Sequence, residues 1–300
     1  MSPLSLRLFG ASFQNPVLLA AGTCGFGEEI SEVVALDELG GLVTKSVTAE
    51  PRWGNPAPRV SEFPGGMLNS VGLANPGVEA VRREKLPWLR DHVRKAQVFV
   101  SVAGHTEKEF VGIVEHLDEA EGFLGYELNL SCPNDQRRSL LPFALDADAM
   151  SRVIQEVRQR TSRPVLAKLA PNTPDFRGAA RVAVDAGADG VTLVNTLPGY
   201  LENPGGEGSV LGAGSGGVSG PLLRPVAVHA VRTVAQAVEV PLVGVGGISK
   251  PSHAAEFLRA GASLVQMGTA GFADPRAPLR VIKGLERVGL PPSRRGGGLP

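Results

Sequence analysis

The chain has 300 residues, 43% of them hydrophobic, which is enough to bury the core of one large barrel or of two average domains. Its 30 basic and 30 acidic residues cancel, and this balance argues against nucleic acid as the main partner, because phosphate binding usually leaves a basic excess. Two cysteines are too few for a disulfide framework or for the ligands of an iron–sulfur cluster.

The sequence shows neither of two common targeting patterns, a membrane span and a signal peptide. No run of about 18 apolar residues occurs, so no membrane span is predicted. The first residues do not place a long apolar run behind a basic start, which is the pattern of a signal peptide. We therefore expect a cytoplasmic protein without a membrane partner.

Eight short apolar runs rich in β-branched residues recur along the chain, each followed by Gly, Asn or Ser. They occupy residues 16–21, 41–47, 97–103, 125–131, 164–170, 190–195, 241–247 and 263–270. Near-continuous apolar runs of this length are typical of parallel strands that are covered on both faces.

Helical patterns lie between these runs. Residues 106–121 carry apolar side chains at helical spacing, and Thr106 with Glu109 predicts a capping box at their start. Residues 149–160 repeat the spacing. Gly187 and Gly261 suit the left-handed position that ends a helix.

This alternation predicts an α/β fold, a (β/α)8 TIM barrel, in a single domain over residues 1–300. A doubly wound open sheet is the main alternative. Residues 4–15 predict a small N-terminal hairpin, and residues 291–300 predict a flexible tail. Long loops follow the second and sixth strands, at 48–96 and 196–221, and loops of this length are usually functional or disordered.

Two lysines lie inside the apolar strand patterns, near the strand ends where barrels carry their active sites. Lys45 and Lys168 should point inward, where an ammonium needs a partner. The interpretations are contact with a bound anion, a structural ion pair and Schiff-base chemistry. Two converging lysines favour the anion.

Glycines cluster at the ends of the last two strands. Gly246 and Gly247 end the seventh strand, Gly268 and Thr269 end the eighth, and Gly220 closes another glycine-rich loop. A single glycine is usually explained by a tight turn, but glycines after both strands predict a phosphate site built from backbone N–H groups. Because neither a Walker motif nor a dinucleotide motif is present, the phosphate suits a mononucleotide such as FMN.

A cysteine follows the fourth strand in the sequence NLSCPN, where Cys132 is flanked by Asn129 and Asn134. A lone cysteine is more often a buried apolar residue than a catalyst. Neighbouring amide or cationic groups could nevertheless stabilise a thiolate that acts as a base towards a carbon-bound proton. Cys24 lacks such neighbours and is predicted to be structural.

The loop over residues 67–77 contains Asn69, Asn75 and Gly72. Neutral amide groups and bare backbone suit a ring with alternating N–H and C=O groups, such as a pyrimidine. A loop that is merely rich in turns is the alternative.

These residues together resemble the class 1 dihydroorotate dehydrogenases over almost the whole chain. The resemblance is carried, in this order, by TKSVT, GNPAPRV, MLNSVGLANPG, ELNLSCPN, VLAKLAPN, VNT, GGVSGP, VGVGGI and GTA. Members of that family are FMN-bound (β/α)8 barrels that oxidise dihydroorotate to orotate in pyrimidine biosynthesis. The resemblance implies the same fold, cofactor and activity for this chain.

The resemblance also implies a role for each matching residue. Cys132 would remove the C5 proton while FMN accepts the C6 hydride, and Lys45 would contact the substrate carboxylate and the flavin edge. The substrate would further be held by Asn69, Val71, Gly72, Leu73, Asn129, Asn134, Asn195 and Thr196. FMN would contact Ala20, Gly22, Thr44, Lys45, Ser46, Asn129, Lys168, Val194, Gly220, Gly246, Gly247, Gly268 and Thr269. Lys168 would stabilise negative charge on the reduced flavin.

The segments GFGEE, MLN, GLANPG, EKLPWL and FADP are similar to class 1B. That class uses NAD through a partner subunit that carries FAD and a 2Fe–2S cluster, so the resemblance implies a catalytic subunit with a homodimeric core. Class 1A, a homodimer that reduces fumarate, is the near alternative.

Readings from other classes also stay open. One is a non-redox, phosphate-binding barrel, a lyase or isomerase that uses Lys168. The tRNA dihydrouridine synthases share the N-x-x-C-P context, but the neutral charge and the lack of a basic RNA-binding domain argue against them.

Overall fold

The structure is a computed structural model that describes residues 3–130 and 141–288. Its strands are β1 (Leu6–Leu8), β2 (Ala11–Phe13), β3 (Val17–Leu19), β4 (Gly41–Val43), β5 (Val60–Phe63), β6 (Gly66–Asn69), β7 (Gln97–Val102), β8 (Gly125–Asn129), β9 (Val165–Leu169), β10 (Gly190–Leu193), β11 (Leu197–Gly199), β12 (Gly216–Ser219), β13 (Leu242–Val245) and β14 (Leu264–Met267). The tail predicted over 291–300 lies outside the described residues.

The α-helices are α1 (Val78–Ala80), α2 (Leu86–His92), α3 (Glu107–Leu117), α4 (Ala147–Arg158), α5 (Phe176–Asp185), α6 (Arg224–Val234), α7 (Pro251–Ala260), α8 (Ala270–Ala273) and α9 (Ala277–Val288). A π-helical turn over Val81–Lys85 joins α1 to α2. Short 3₁₀ helices occupy Glu28–Ile30, Leu36–Glu38, Phe143–Leu145 and Pro221–Leu223. No helix in the described ranges combines the length and apolar character that a membrane crossing requires.

Eight parallel strands close into a barrel in the order β3-β4-β7-β8-β9-β10-β13-β14, and β14 pairs back to β3. The eight predicted apolar runs contain these eight strands, and β9, β10, β13 and β14 are buried throughout. The prediction of an α/β barrel is therefore confirmed, and a closed sheet in chain order excludes the open, doubly wound alternative.

The crossovers between barrel strands follow the predicted alternation with one departure. An α-helix follows each barrel strand from β4 onward, whereas the described residues between β3 and β4 form only two 3₁₀ helices, Glu28–Ile30 and Leu36–Glu38. At the start of α3, the Thr106 side chain accepts a hydrogen bond from the backbone N–H of Glu109, as predicted. The Glu109 carboxylate accepts from the backbone N–H of His105 rather than of Thr106, so the capping box is shifted by one residue.

The predicted N-terminal hairpin is present and lies at the N-terminal end of the barrel. Strands β1 and β2 are antiparallel, and the turn residues Phe9 and Gly10 both have positive φ, of 53° and 75°. Two positive φ values are the signature of a type I′ turn, whose twist matches that of the strands. The Phe9 ring packs edge-on against Phe99 at 5.9 Å, next to a buried cluster that includes Phe13 and Leu166. The hairpin therefore plugs this end of the barrel.

The two long loops form a second sheet that the sequence analysis did not predict. Its four antiparallel strands run in the order β11-β12-β6-β5. β5 and β6 come from the connection after β4, and β11 and β12 come from the connection after β10. The two connections meet where β6 pairs with β12, with Asn69 opposite Gly217 and Met67 opposite Ser219.

The plug of the barrel predicts a large effect of Phe99→Ala on stability. Phe99 is fully buried, and truncation of a buried Phe costs about 3–5 kcal/mol because it leaves a cavity. Phe272→Ala is the matched control, since Phe272 is 55% exposed and its truncation should cost about 0.5 kcal/mol or less. Urea unfolding followed by circular dichroism measures both, and equal midpoints for the two variants would contradict this account of the plug.

Candidate active site

A cleft opens where the C-terminal ends of the barrel strands face the four-stranded sheet. It encloses about 1140 Å³ of space free of protein atoms, measured out to its open mouth. This volume includes open solvent at the mouth of the cleft. Strand ends supply one wall, and Met67, Asn69 and Ser219 of the sheet supply part of the other.

Most of the residues singled out from the sequence line this cleft. They are Ala20, Gly22, Lys45, Ser46, Asn69, Val71, Gly72, Leu73, Asn129, Lys168, Val194, Asn195, Thr196, Gly220, Gly246, Gly247, Gly268 and Thr269. Cys132 and Asn134 lie outside the described residues.

Thr44, which the resemblance also assigns to FMN, is not among the residues that line the cleft. Its side chain is fully buried and does not reach the cleft. The hydroxyl accepts a hydrogen bond from the backbone N–H of Ser101 at 3.2 Å and donates to the carbonyl of Lys45 at 3.1 Å. Thr44 therefore links the backbone of Lys45 to that of the neighbouring strand β7.

Lys45 follows the end of β4 and enters the cleft from the barrel side. Its backbone N–H donates to the carbonyl of Gly25 at 2.7 Å, which ties it to the loop after β3. A Cβ atom built on Gly22 would lie 3.8 Å from the Lys45 Nζ atom, and Gly22 has a φ of 81°. The glycine thus leaves bare backbone beside the ammonium. A ligand in close contact with Gly22 and Lys45 would require this arrangement.

Lys168 lies in β9 and forms an ion pair, which is one of the three roles considered for this lysine in the sequence analysis. Its Nζ atom donates to Glu127 Oε1 at 3.1 Å, and both side chains are buried. Lys168 also lines the cleft. Sequence analysis missed Glu127, although a carboxylate inside the apolar strand pattern of β8 is a signal, because such a charge needs a partner in the barrel interior.

Asparagine side chains link the ends of three barrel strands across the floor of the cleft. The Asn195 amide nitrogen donates to Asn129 Oδ1 at 3.1 Å, and the Asn129 amide nitrogen donates to Ser46 Oγ at 3.3 Å. Ser46 in turn shares a hydrogen bond of 2.8 Å with Ser101. On the opposite wall, the amide of Asn69 donates to the carbonyl of Gly217 at 3.1 Å. These contacts hold neutral amide groups in fixed orientations towards a ligand.

The loop after β6 presents its backbone to the cleft. Gly72 and Leu73 have φ values of 72° and 57°, and a Cβ atom on Gly72 would collide with the side chain of Asn55. A left-handed leucine is uncommon and persists only where its surroundings hold it. The sequence analysis suggested that Asn75 offers its amide to a ligand, but Asn75 does not line the cleft. Its buried side chain binds Thr48 and accepts from the backbone N–H of Gly77, so it fixes the loop.

A concave wall of glycines forms one end of the cleft. Gly220, Gly246 and Gly247 have φ values of 98°, 140° and 66°, and a Cβ atom on Gly247 would lie only 2.7 Å from the carbonyl oxygen of Gly220. Nearby, the Thr269 hydroxyl donates to Ser219 at 2.8 Å and links the end of β14 to β12. Bare backbone in such conformations makes anion-binding concavities, so this wall suits a phosphate.

Comparisons with known proteins bear on what this cleft binds. Residues 3–288 match the family model described as Dihydroorotate dehydrogenase. The chain belongs to the dihydroorotate dehydrogenase family. The resemblance read from the motifs is thereby confirmed, and the protein is an oxidoreductase that acts on dihydroorotate.

Relatives within the family carry two kinds of name. The catalytic subunit of dihydroorotate dehydrogenase B (NAD(+)) from Cutibacterium acnes is 42% identical over 286 residues, which cover 95% of this chain and 93% of the relative. The same subunit from Geotalea uraniireducens is 41% identical, covering 94% and 92%. A relative from Solibacter usitatus, provisionally named dihydroorotate dehydrogenase A (fumarate), is 43% identical, covering 97% and 96%.

A solved structure of the family supports the fold. The crystal structure of DHODH in complex with ferulenol from Eimeria tenella matches with a TM-score of 0.81 at 23% identity. The match covers 95% of this chain and 84% of that one. At this identity the match shows a shared fold.

Cys24 is buried and does not line the cleft. Its thiol is buried and donates to the carbonyl of Val43 at 3.5 Å. Burial, with a smaller contribution from the nearby Glu29 carboxylate, raises the pKa of the Cys24 thiol to about 12. Since the thiolate is the reactive form, a protonated and buried thiol fits the structural role predicted from the sequence.

The raised pKa predicts that Cys24 resists alkylation in the folded protein. At pH 8 the thiol stays protonated in the folded chain, because its pKa of about 12 lies far above that pH, whereas unfolding restores a pKa of about 8.5. Iodoacetamide at pH 8 should label Cys24 at least about a hundredfold more slowly in the native protein than in urea. Peptide mass spectrometry measures the label at this residue, and similar rates in both states would refute the burial of the thiol.

Proposed function

We propose that this chain is the catalytic subunit of a class 1B dihydroorotate dehydrogenase. It oxidises dihydroorotate to orotate in de novo pyrimidine biosynthesis and passes electrons to NAD through a partner subunit that carries FAD and a 2Fe–2S cluster. The observation that carries the proposal is one cleft in which two lysines, a row of asparagines and a glycine wall converge. Relatives named as B catalytic subunits support the subclass.

The residues of the cleft fit FMN. Gly220, Gly246 and Gly247 line the cleft with bare backbone at positive φ, and backbone N–H groups in such conformations suit the cofactor phosphate. Ala20 and Val194 offer small apolar surfaces for the isoalloxazine, and Lys168 supplies positive charge for the reduced ring. When bound, FMN accepts the hydride that leaves C6 of dihydroorotate.

The remaining lining residues fit the substrate. The Lys45 ammonium and the backbone N–H groups of residues 71–73, which line the cleft, would bind its carboxylate. The amides of Asn69, Asn129 and Asn195 are fixed donors and acceptors for a pyrimidine ring, and Thr196 lies beside them. Oriented amides specify such a ring because a buried polar group left unpaired would be costly.

Removal of the C5 proton is assigned to the Cys132 thiolate. This assignment rests on the NLSCPN motif, because the residue lies outside the described part of the chain. Asn129, which precedes it in the motif, is held by Ser46 and Asn195 at the end of β8. General base catalysis of this kind contributes about 10²–10⁴-fold to a rate.

The ion pair of Lys168 argues against a Schiff-base lyase or isomerase. A lysine must be neutral to attack a carbonyl, and a low-dielectric pocket without a counter-charge is what favours the neutral amine. Lys168 instead faces the Glu127 carboxylate at 3.1 Å, so its pocket contains a counter-charge. A homodimeric core and a cytoplasmic location complete the proposal and rest on the resemblance to class 1 enzymes.

Anaerobic mixing of the purified, FMN-containing chain with dihydroorotate tests the proposal. We expect the flavin absorbance to bleach, since the substrate reduces the cofactor within this chain. Bleaching that neither added NAD nor added fumarate reverses supports a class 1B subunit without its partner. Reoxidation by fumarate would instead assign class 1A, and flavin that dihydroorotate does not bleach would overturn the assignment of the substrate.

Substitution of Cys132 tests the base. Cys132→Ala should retain FMN but lose about 10²–10⁴-fold in kcat, because no thiolate accepts the C5 proton. Cys132→Ser should retain a little activity that grows at high pH, since serine is the weaker base at neutral pH. Steady-state rates across pH 6–10, with FMN content as the control for folding, measure both variants. Full activity of Cys132→Ala at neutral pH would remove the cysteine from the mechanism.

The glycine wall predicts that Gly247→Ala weakens FMN binding. Its φ of 66° is unfavourable for alanine, and the added methyl group would approach the Gly220 carbonyl at 2.7 Å. We expect at least about a tenfold rise in the Kd of the apoprotein for FMN, measured by quenching of flavin fluorescence. Gly205→Ala is the matched control, because no atom lies within 4 Å of its added Cβ. Equal affinities in the two variants would place the phosphate elsewhere.

A further inference from the structure

Glu127 is a buried carboxylate that the proposed chemistry does not use. It lies in β8, is fully buried and does not line the cleft. Its Oε1 atom accepts from Lys168 at 3.1 Å, and its Oε2 atom accepts from the Thr192 hydroxyl at 3.0 Å and from the Gln266 amide at 2.7 Å. All three partners donate, which is the pattern of an ionised carboxylate.

These partners come from around the barrel. Lys168, Thr192 and Gln266 lie in β9, β10 and β14, so one carboxylate collects donors from three other strands of the closed sheet. Gln266 Oε1 is buried and has no hydrogen-bond partner among the described residues. The amide thus turns its donor towards Glu127 and leaves its acceptor unpaired, a local conflict that is typical of functional sites.

Stability alone does not account for this arrangement. A buried ion pair contributes little net stability, because the loss of hydration offsets most of the attraction, and apolar residues of similar size often do as well. The Lys168 side chain, however, is 7% exposed and reaches the cleft, whereas Glu127 is completely enclosed. The ammonium therefore has the carboxylate on one side and the cleft on the other.

We infer that Glu127 is a positioning residue that sets the redox potential of the bound flavin through Lys168. The carboxylate holds the ammonium in the floor of the cleft and shares its positive charge, so the flavin experiences only part of that charge. The inference rests on the proposed function insofar as FMN occupies the cleft. Thr192 and Gln266 hold the carboxylate but add no charge of their own.

The test is the flavin midpoint potential of four FMN-loaded proteins: the wild type, E127Q, K168M and the double variant. E127Q should make reduction about tenfold more favourable, which is about 30 mV for a two-electron couple, because the ammonium charge is no longer shared. In the K168M background, E127Q should change the potential by less than a third of that amount. The reason is that Glu127 acts on the flavin through the Lys168 ammonium, which this background lacks.

The double-mutant cycle separates this role from a structural one. An unchanged or lowered potential in E127Q, or an equal shift in both backgrounds, would overturn the inference. Thr192→Val is the matched control: it removes a hydrogen bond from the same carboxylate but keeps both charges, so reduction should stay within threefold of the wild type. If E127Q does not fold, Glu127→Asp takes its place, because its shorter side chain draws the charge away from Lys168 and shifts the potential upward.

The potential is measured with a chemical reductant and a reference dye, without dihydroorotate. Failure of the wild type to oxidise dihydroorotate would therefore refute the proposed function and leave the inference about Glu127 standing. If the wild type oxidises dihydroorotate but E127Q keeps the wild-type potential, only the inference about Glu127 is refuted. A chain that binds no FMN would overturn both.

Discussion

The pairing of β6 with β12 is the contact on which the cleft depends. The two strands belong to connections that leave the barrel after β4 and β10, which lie on opposite sides of the eight-stranded ring. Their pairing carries the chain across the mouth of the barrel, and the Asn69 side chain reinforces it by donating to the Gly217 carbonyl. Without this sheet the strand ends would form an open dish, so residues of both layers are needed to exclude water from a ligand.

Close approach of backbone at this pairing explains part of the glycine content. A Cβ atom on Gly216 would lie 2.5 Å from the Asn69 carbonyl oxygen, and one on Gly217 would collide with Thr196. These glycines let strands pack closely, whereas Gly246 and Gly247 shape the wall of the cleft. Sequence alone cannot separate the two uses, because both require the same missing side chain.

The barrel could be predicted from the sequence because each strand is a continuous apolar run whose neighbours follow in chain order. The four-stranded sheet could not. Strands such as LPG (Leu197–Gly199) and GGVS (Gly216–Ser219) have no alternating pattern, and β12 pairs with a strand about 150 residues away along the chain. Most cleft residues followed from the rule that barrel chemistry lies at the C-terminal strand ends. That rule places a residue near the site without giving the direction of its side chain, and Thr44 and Asn75 lie near the cleft without lining it.

The direction of a side chain can be inferred from the alternation of side chains along the barrel strands. Side chains two residues apart share a face, so the residue two positions before a cleft residue points into the barrel beneath it. Glu127 precedes Asn129, Thr192 precedes Val194, and Gln266 precedes Gly268 by this spacing. These three residues form a polar layer directly under the floor of the cleft, in contact with one another through the Glu127 carboxylate. Lys168 joins this layer to the cleft. The charge that a ligand experiences at the floor therefore depends on residues beneath the cleft as well as on Lys168, because a low-dielectric barrel screens their interactions only weakly.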